Sequence, residues 1–212
     1  MSAMRYGRAL GFVGLLILSA PARAADFDID NLKLELGKVV IAVPKISVKG
    51  SSLEREQFMA LFDGKTGESA VSRMAKLDAG EISANELVIE QQMGPQRQVT
   101  TYRGIRFTNV RQGRIGNGEA ASADIAITGS ETGPMKGTMA RTSFTGFDLR
   151  QTARVLTEKA EPGAEEKPLP LFERFQQDGY SFDMGKGGRM SLGKSQGRHF
   201  AARRGESRSA TC

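Results

Sequence analysis

Cysteine occurs once in the 212 residues, as the final Cys212, histidine once, as His199, and tryptophan not at all. A lone cysteine cannot close an intramolecular disulfide, so the fold has to be held by its core. One histidine and one terminal cysteine cannot supply the three or four nitrogen and sulfur ligands of a zinc site. A Ser-His or Cys-His hydrolase needs a base held beside a buried nucleophile, and His199 stands in the polar end segment QGRHF. With no tryptophan and three tyrosines, one of them Tyr6, a sugar-stacking platform is not expected. No catalytic residue, cofactor or metal site is therefore expected.

A basic body is also missing. The formal charge is +6, but residues 1–24 hold Arg5, Arg8 and Arg23 with no acid, and residues 198–212 hold Arg198, Arg203, Arg204 and Arg208 against Glu206. Residues 25–197 are thus neutral in sum, which argues against nucleic acid as a partner. The segment 198–212 reads as a basic, disordered tail.

The first 24 residues have the layout of a secretory signal peptide: the positive Arg5 and Arg8, the apolar run Leu10 to Ala20, and Ala22-Arg23-Ala24 as an A-x-A cleavage site. The run is about half the roughly 20 residues that span a bilayer. No later segment is apolar enough to span. The mature chain is expected to be soluble and exported, periplasmic in a Gram-negative cell or secreted, after cleavage near Ala24.

From residue 25 onward, alternation of apolar residues dominates the chain and predicts a β-dominated α+β fold, an antiparallel meander with two or three short amphipathic helices on one face. Two strands lie between Phe27 and Val48, broken near Gly37. Ser51 with Glu54 forms a capping-box pattern opening a helix through Leu53, Phe58, Leu61 and Phe62, and SAVSRMAKL reads as a second short helix. Strands are expected at 81–92, 98–110, 114–128 and 135–144, with Gly and Pro between them. A third helix, LRQTARVLTE, has Leu149, Ala153 and Leu156 on one side. The core domain is expected to cover 25–157, followed by a charged Pro/Gly linker at 158–170 and a segment 171–197, in which LFERF suggests a turn of helix and YSFDM to RMSLG a closing hairpin added to the main sheet.

Two internal similarities run through this pattern. KLDAGEISANELVI (76–89) resembles RIGNGEAASADIAI (114–127) at an offset of 38, pairing Gly80 with Gly118 and Glu81 with Glu119. VPKISVKGSSL (43–53) resembles MARTSFTGFDL (139–149) at an offset of 96, pairing Gly50 with Gly146. The two offsets share no period, so they suggest an internally similar sheet and not a solenoid.

Short motifs carry little. Asp26, Asp28 and Asp30 open like a calcium loop, but Asn31 and Gly37 occupy the positions that need glycine and a bidentate glutamate. Lys65-Thr66-Gly67, Ser83-Ala84-Asn85 and Ser191-Leu192-Gly193-Lys194 run in the reverse of the serine β-lactamase order. Gly185-Lys186-Gly187-Gly188 lacks phosphate-loop spacing and suits a hairpin turn. One basic cluster stands out, Tyr102 and Arg103 with Arg106, Arg111 and Arg114, a candidate contact for an acidic partner such as an anionic lipid head group or glycan. The sequence thus points to an exported, non-enzymatic envelope protein that binds another component, an envelope protein, lipid or anionic glycan, or plays a structural role. A carrier of lipid or another apolar ligand in a sheet groove is one alternative. A carboxylate-dependent glycan hydrolase, with Glu81 and Glu119 as candidates, is the other.

Overall fold

The computed structural model describes residues 24–36, 38–131, 133–159 and 167–204. The expected signal peptide up to Arg23, the middle of the expected linker and the end of the expected tail, with Cys212, lie outside these residues. The strands are β1 (Ala25–Leu36), β2 (Val39–Ser51), β3 (Ala79–Met93), β4 (Gln96–Arg111), β5 (Arg114–Ala120), β6 (Ser122–Thr128), β7 (Met135–Met139), β8 (Thr142–Asp148), β9 (Leu169–Gln177), β10 (Tyr180–Asp183), β11 (Arg189–Leu192) and β12 (Ser195–Ala202). Helices α1 (Arg55–Ala60) and α2 (Ala70–Met74) join β2 to β3, and α3 (Leu149–Thr157) follows β8. The β-dominated antiparallel sheet with three short helices is as the sequence indicates.

The sheet is a meander only through its first four strands. The far edge of the 16-residue β4 takes two partners, β5 along Arg106–Arg111 and β6 along Arg97–Arg103. From there it forks into an arm β6-β7-β10-β11 and an arm β5-β8-β9-β12. The expected strand 114–128 is therefore divided at Ala121, and the expected strand 135–144 ends at Met139, because the chain crosses there from one arm to the other.

Besides single left-handed residues at Asn31 and Gly104, alternation breaks along a line across the sheet, for a stereochemical reason. The flanking register pairs align Gly80, Asn109, Gly116, Gly146, Glu173 and His199 on successive strands, with Gly50 beside Gly80. Four of these residues are left-handed, at φ +63° for Gly50, +56° for Asn109, +66° for Gly146 and +56° for His199. A left-handed residue inside a strand shifts the phase of side-chain alternation, so apolar residues on one face stand three apart instead of two. Phe107 and Val110 about Asn109, and Phe144 and Phe147 about Gly146, are such pairs, and Ala79 and Ile82 keep the same spacing about Gly80, which is not left-handed; all six lie in or against the core. Phe172 and Phe175 repeat the spacing, and their rings join those of Phe147 and Phe200. Gly50 and Gly146, matched by the offset of 96, hold equivalent places in this line, and α1 and α3 come after them in the chain.

Two expectations change here. LFERF forms β9 and not a turn of helix: Phe172 and Phe175 have helical i, i+3 spacing but flank Glu173, the place of β9 in this line. Residues 198–202 are strand and not tail, because β12 continues to Ala202 by pairing with β9. The YSFDM to RMSLG segment does form the hairpin β10-β11, attached to the sheet through β7. Its turn is a single 3-10 turn at Gly185–Gly187, where the Asp183 carboxylate accepts from the Gly185 N–H at 2.9 Å.

The helices cover one face of the sheet around a core of Ile29, Val48, Phe58, Leu61, Leu77, Val110, Ile115 and Ala153. The capping box of α1 uses Glu54 and Gln57 instead of Ser51, whose hydroxyl accepts from the Leu53 N–H at 3.0 Å. Ser69 caps α2, and the Asp148 carboxylate accepts from the Arg150 and Gln151 N–H groups at 3.0 and 3.2 Å to cap α3. Burial would raise the Asp148 pKa, but the Arg150 guanidinium and these amides outweigh it and hold the group ionised below its usual range. Arg73 is buried, and its Nη1 donates to the carbonyls of Leu61 and Asp63 just past α1, which satisfies orphan acceptors at that helix end. Among the described residues no helix is long and apolar enough to cross a membrane.

Candidate functional site: a polar groove across one arm

Directly opposed residues of paired strands share a face. On the arm through β4, β5, β8, β9 and β12, register therefore places Arg106, Glu119, Ser143, Gln176 and Gln196 in one row. Thr108, Asn117, Thr145, Arg174 and Arg198 form the next. These rows are out of phase with the phenylalanines of the helix-covered face. Together with Arg141, and with Gly118, Phe144, Phe175 and Gly197 of the row between them, they line a groove of about 660 Å³. Five strands at a spacing of roughly 4.8 Å give it a length of about 19 Å.

The groove has two electrostatically different ends. Near β4 and β5, Arg106 donates through Nε and Nη2 to the Glu81 carboxylate at 2.9 and 2.6 Å, and Arg141 Nη2 donates to Glu119 at 2.6 Å. Hydrogen bonding to these carboxylates pushes both guanidinium pKa values further up. At the β9-β12 end, Arg174 and Arg198 are exposed register partners, and neither has an ion pair or side-chain hydrogen bond among the described residues. Like charges directly opposite each other on neighbouring strands repel. Neutral donors and acceptors fill the other positions of the two rows, Thr108 and Asn117 at the first end, Ser143 and Thr145 on β8, and Gln176 and Gln196 beside Arg174 and Arg198.

The basic cluster expected from sequence is dispersed by its own carboxylates. Arg103 pairs with Asp124, Arg106 with Glu81, Arg111 with Asp78 at 3.9 Å, and Arg114 with Glu173. Tyr102 is half-buried on the apolar face, and burial raises its phenol pKa. Of the five residues, Arg106 alone lines the groove. Sequence reasoning missed Arg141, Arg174 and Arg198, two of which fell in segments expected as helix and tail. The signal that could have found the last two is polar alternation beside the phenylalanines in ERFQQ and QGRHF.

The other arm is apolar on one face. Leu87, Tyr102, Ala123, Met139 and Tyr180 form one cross-strand row, and Ile89, Thr100, Ile125, Gly137 and Phe182 the next. The Tyr180 and Phe182 rings stack with centroids 5.8 Å apart. Ile125, Met139 and Tyr180 remain half-exposed, while the helices pack chiefly on β1, β5 and β9.

Among the described residues no three His, Cys, Asp or Glu side chains lie close enough together to hold a metal ion. Compared with protein-family models, curated proteins and solved structures, the chain gives no match.

Proposed function

We propose that this chain is an exported, non-enzymatic binding protein of the cell envelope, and that the polar groove is its binding surface. The observation that carries the reading is the groove itself, a recess of about 660 Å³ with two arginines at one end that have no ion pair among the described residues. Export rests on Arg5 and Arg8, the apolar run after them and the Ala22-Arg23-Ala24 site. A binding role is favoured over hydrolysis because Glu119 and the adjoining Glu81, the carboxylates that hydrolysis would use, are each tied to an arginine. Glycoside cleavage needs two carboxyl groups facing one bond, one of them able to hold a proton at working pH.

A carrier of lipid or another apolar ligand is the second reading, favoured by the half-exposed Ile125, Met139 and Tyr180 on the other arm. Native mass spectrometry of the mature protein purified from an envelope fraction separates the two. A polar adduct released at high salt is the expected result, since salt screens contacts to exposed charge. A bound lipid that survives high salt would contradict the groove reading and support the carrier.

A further inference from the structure

We infer that Arg174 and Arg198 form an oxyanion-recognition site at one end of the groove, and that the ligand is an acidic saccharide. The inference rests on the groove being the binding surface and adds the chemical class of what it holds.

Three observations carry it. The two guanidinium groups oppose each other across β9 and β12, and among the described residues neither has a carboxylate partner, whereas Arg106 and Arg141 in the same groove each have one. A carboxylate, sulfate or phosphate bridging the pair would relieve their repulsion and accept several charge-assisted hydrogen bonds from their planar forks. Beside these arginines Gln176 and Gln196, and further along the groove Thr108, Asn117, Ser143 and Thr145, present carboxamides and hydroxyls, which both donate and accept. That is the complement of a ligand carrying many hydroxyl groups. Finally, the aromatic residues of the lining are Phe144 and Phe175, whose rings are engaged with those of Phe107, Phe147, Phe172 and Phe200, and neither tyrosine nor tryptophan joins them. The paired arginines therefore favour an acidic saccharide over a neutral one.

Isothermal titration of the mature protein at low salt tests this with three probes: an oligogalacturonate, a neutral maltooligosaccharide of the same length, and inorganic phosphate. The oligogalacturonate is expected to bind at least about tenfold more tightly than the neutral chain, and Arg174→Gln and Arg198→Gln to weaken it by about tenfold each, the scale of a lost hydrogen bond to a charged group. Both arginines are exposed, so the variants should keep the wild-type melting temperature. Arg189→Gln, on exposed β11, is the charge-matched control and should leave affinity unchanged. Equal binding of acidic and neutral chains, insensitive to both variants, overturns the arginine assignment and leaves the groove standing. Phosphate binding as tightly as the oligosaccharide overturns the saccharide class and leaves a bare oxyanion site. If Arg189→Gln weakens binding as much as the groove variants do, the contact is nonspecific attraction to charge, and the groove reading itself fails.

Discussion

Truncating Phe58 to alanine should lower the stability of the mature protein by about 3–5 kcal/mol. The ring is fully buried, with the Phe27 and Phe62 rings 5.4 Å away on either side, centroid to centroid. Phe58 is also the one buried residue of α1, a six-residue helix too short to be stable without its packing. The void would therefore loosen the helix as well as the core. In a chain of this size each kcal/mol moves the melting temperature by roughly 2–4 °C, so a drop of about 10 °C is expected in thermal circular dichroism. The neighbouring Met59 is 40% exposed, and Met59→Ala should shift melting by no more than a degree or two. Equal effects from the two substitutions would mean that α1 does not dock as described.

Gly113→Val should cost a comparable amount by a different route. Gln112 and Gly113 turn the β4-β5 hairpin with φ of +47° and +74°, both left-handed, as a type I′ turn requires. A Cβ on Gly113 would lie 2.3 Å from the Met74 carbonyl oxygen and 3.2 Å from the Arg150 side chain, where the turn tip wedges between α2 and α3. The left-handed penalty of roughly 1–2 kcal/mol adds to a displacement of the turn that threatens the Gly113 N–H bond to the Leu77 carbonyl, 2.8 Å long. Together about 3–4 kcal/mol is expected, counting the lost bond and the overpacking. Gly94 separates conformation from contact: its φ is +61°, but nothing lies within 4 Å of the added Cβ. Gly94→Val should cost only the conformational part, and urea titration of the two variants reads the difference. Matching losses would mean that the turn tip is not wedged between the two helices.

These two positions show what sequence carries and where it stops. Strand alternation and glycine turns are local, and they suffice to place β3, β4, α2 and α3 within a few residues. The transverse line of left-handed residues is not local. Asn109 and His199 look like ordinary polar residues, and their φ values follow from neighbours on other strands. Its trace in the sequence, apolar residues three apart, is shared with helices, which is why LFERF suggests one. The groove is hidden for a related reason. Arg174 and Arg198 meet because β9 and β12 pair across an excursion through the β10-β11 hairpin in the other arm. Conversely, Arg103, Arg106, Arg111 and Arg114 look free as a string of letters, and lose that freedom to Asp124, Glu81, Asp78 and Glu173 from elsewhere in the chain.

The same line of left-handed residues connects fold to proposed function. Where the line crosses β9 and β12, two consecutive side chains on each strand are exposed, Glu173 and Arg174 in β9 and Arg198 with the left-handed His199 in β12. The phenylalanines then stay with the core while the arginines face the groove. A variant that removed Arg174 or Arg198 without disturbing this line would lose binding and keep its fold, whereas the Phe58 and Gly113 changes act on stability first.

The most direct test is an amide NMR map of the mature protein titrated with oligogalacturonate at low salt. Shifts should concentrate at residues 106–108, 117–119, 143–145, 174–176 and 196–198, and be largest around Arg174 and Arg198. Shifts confined to the apolar arm, at 87–89, 123–127, 135–139 and 180–182, would contradict the groove as binding surface and move that surface to the other side of the fork.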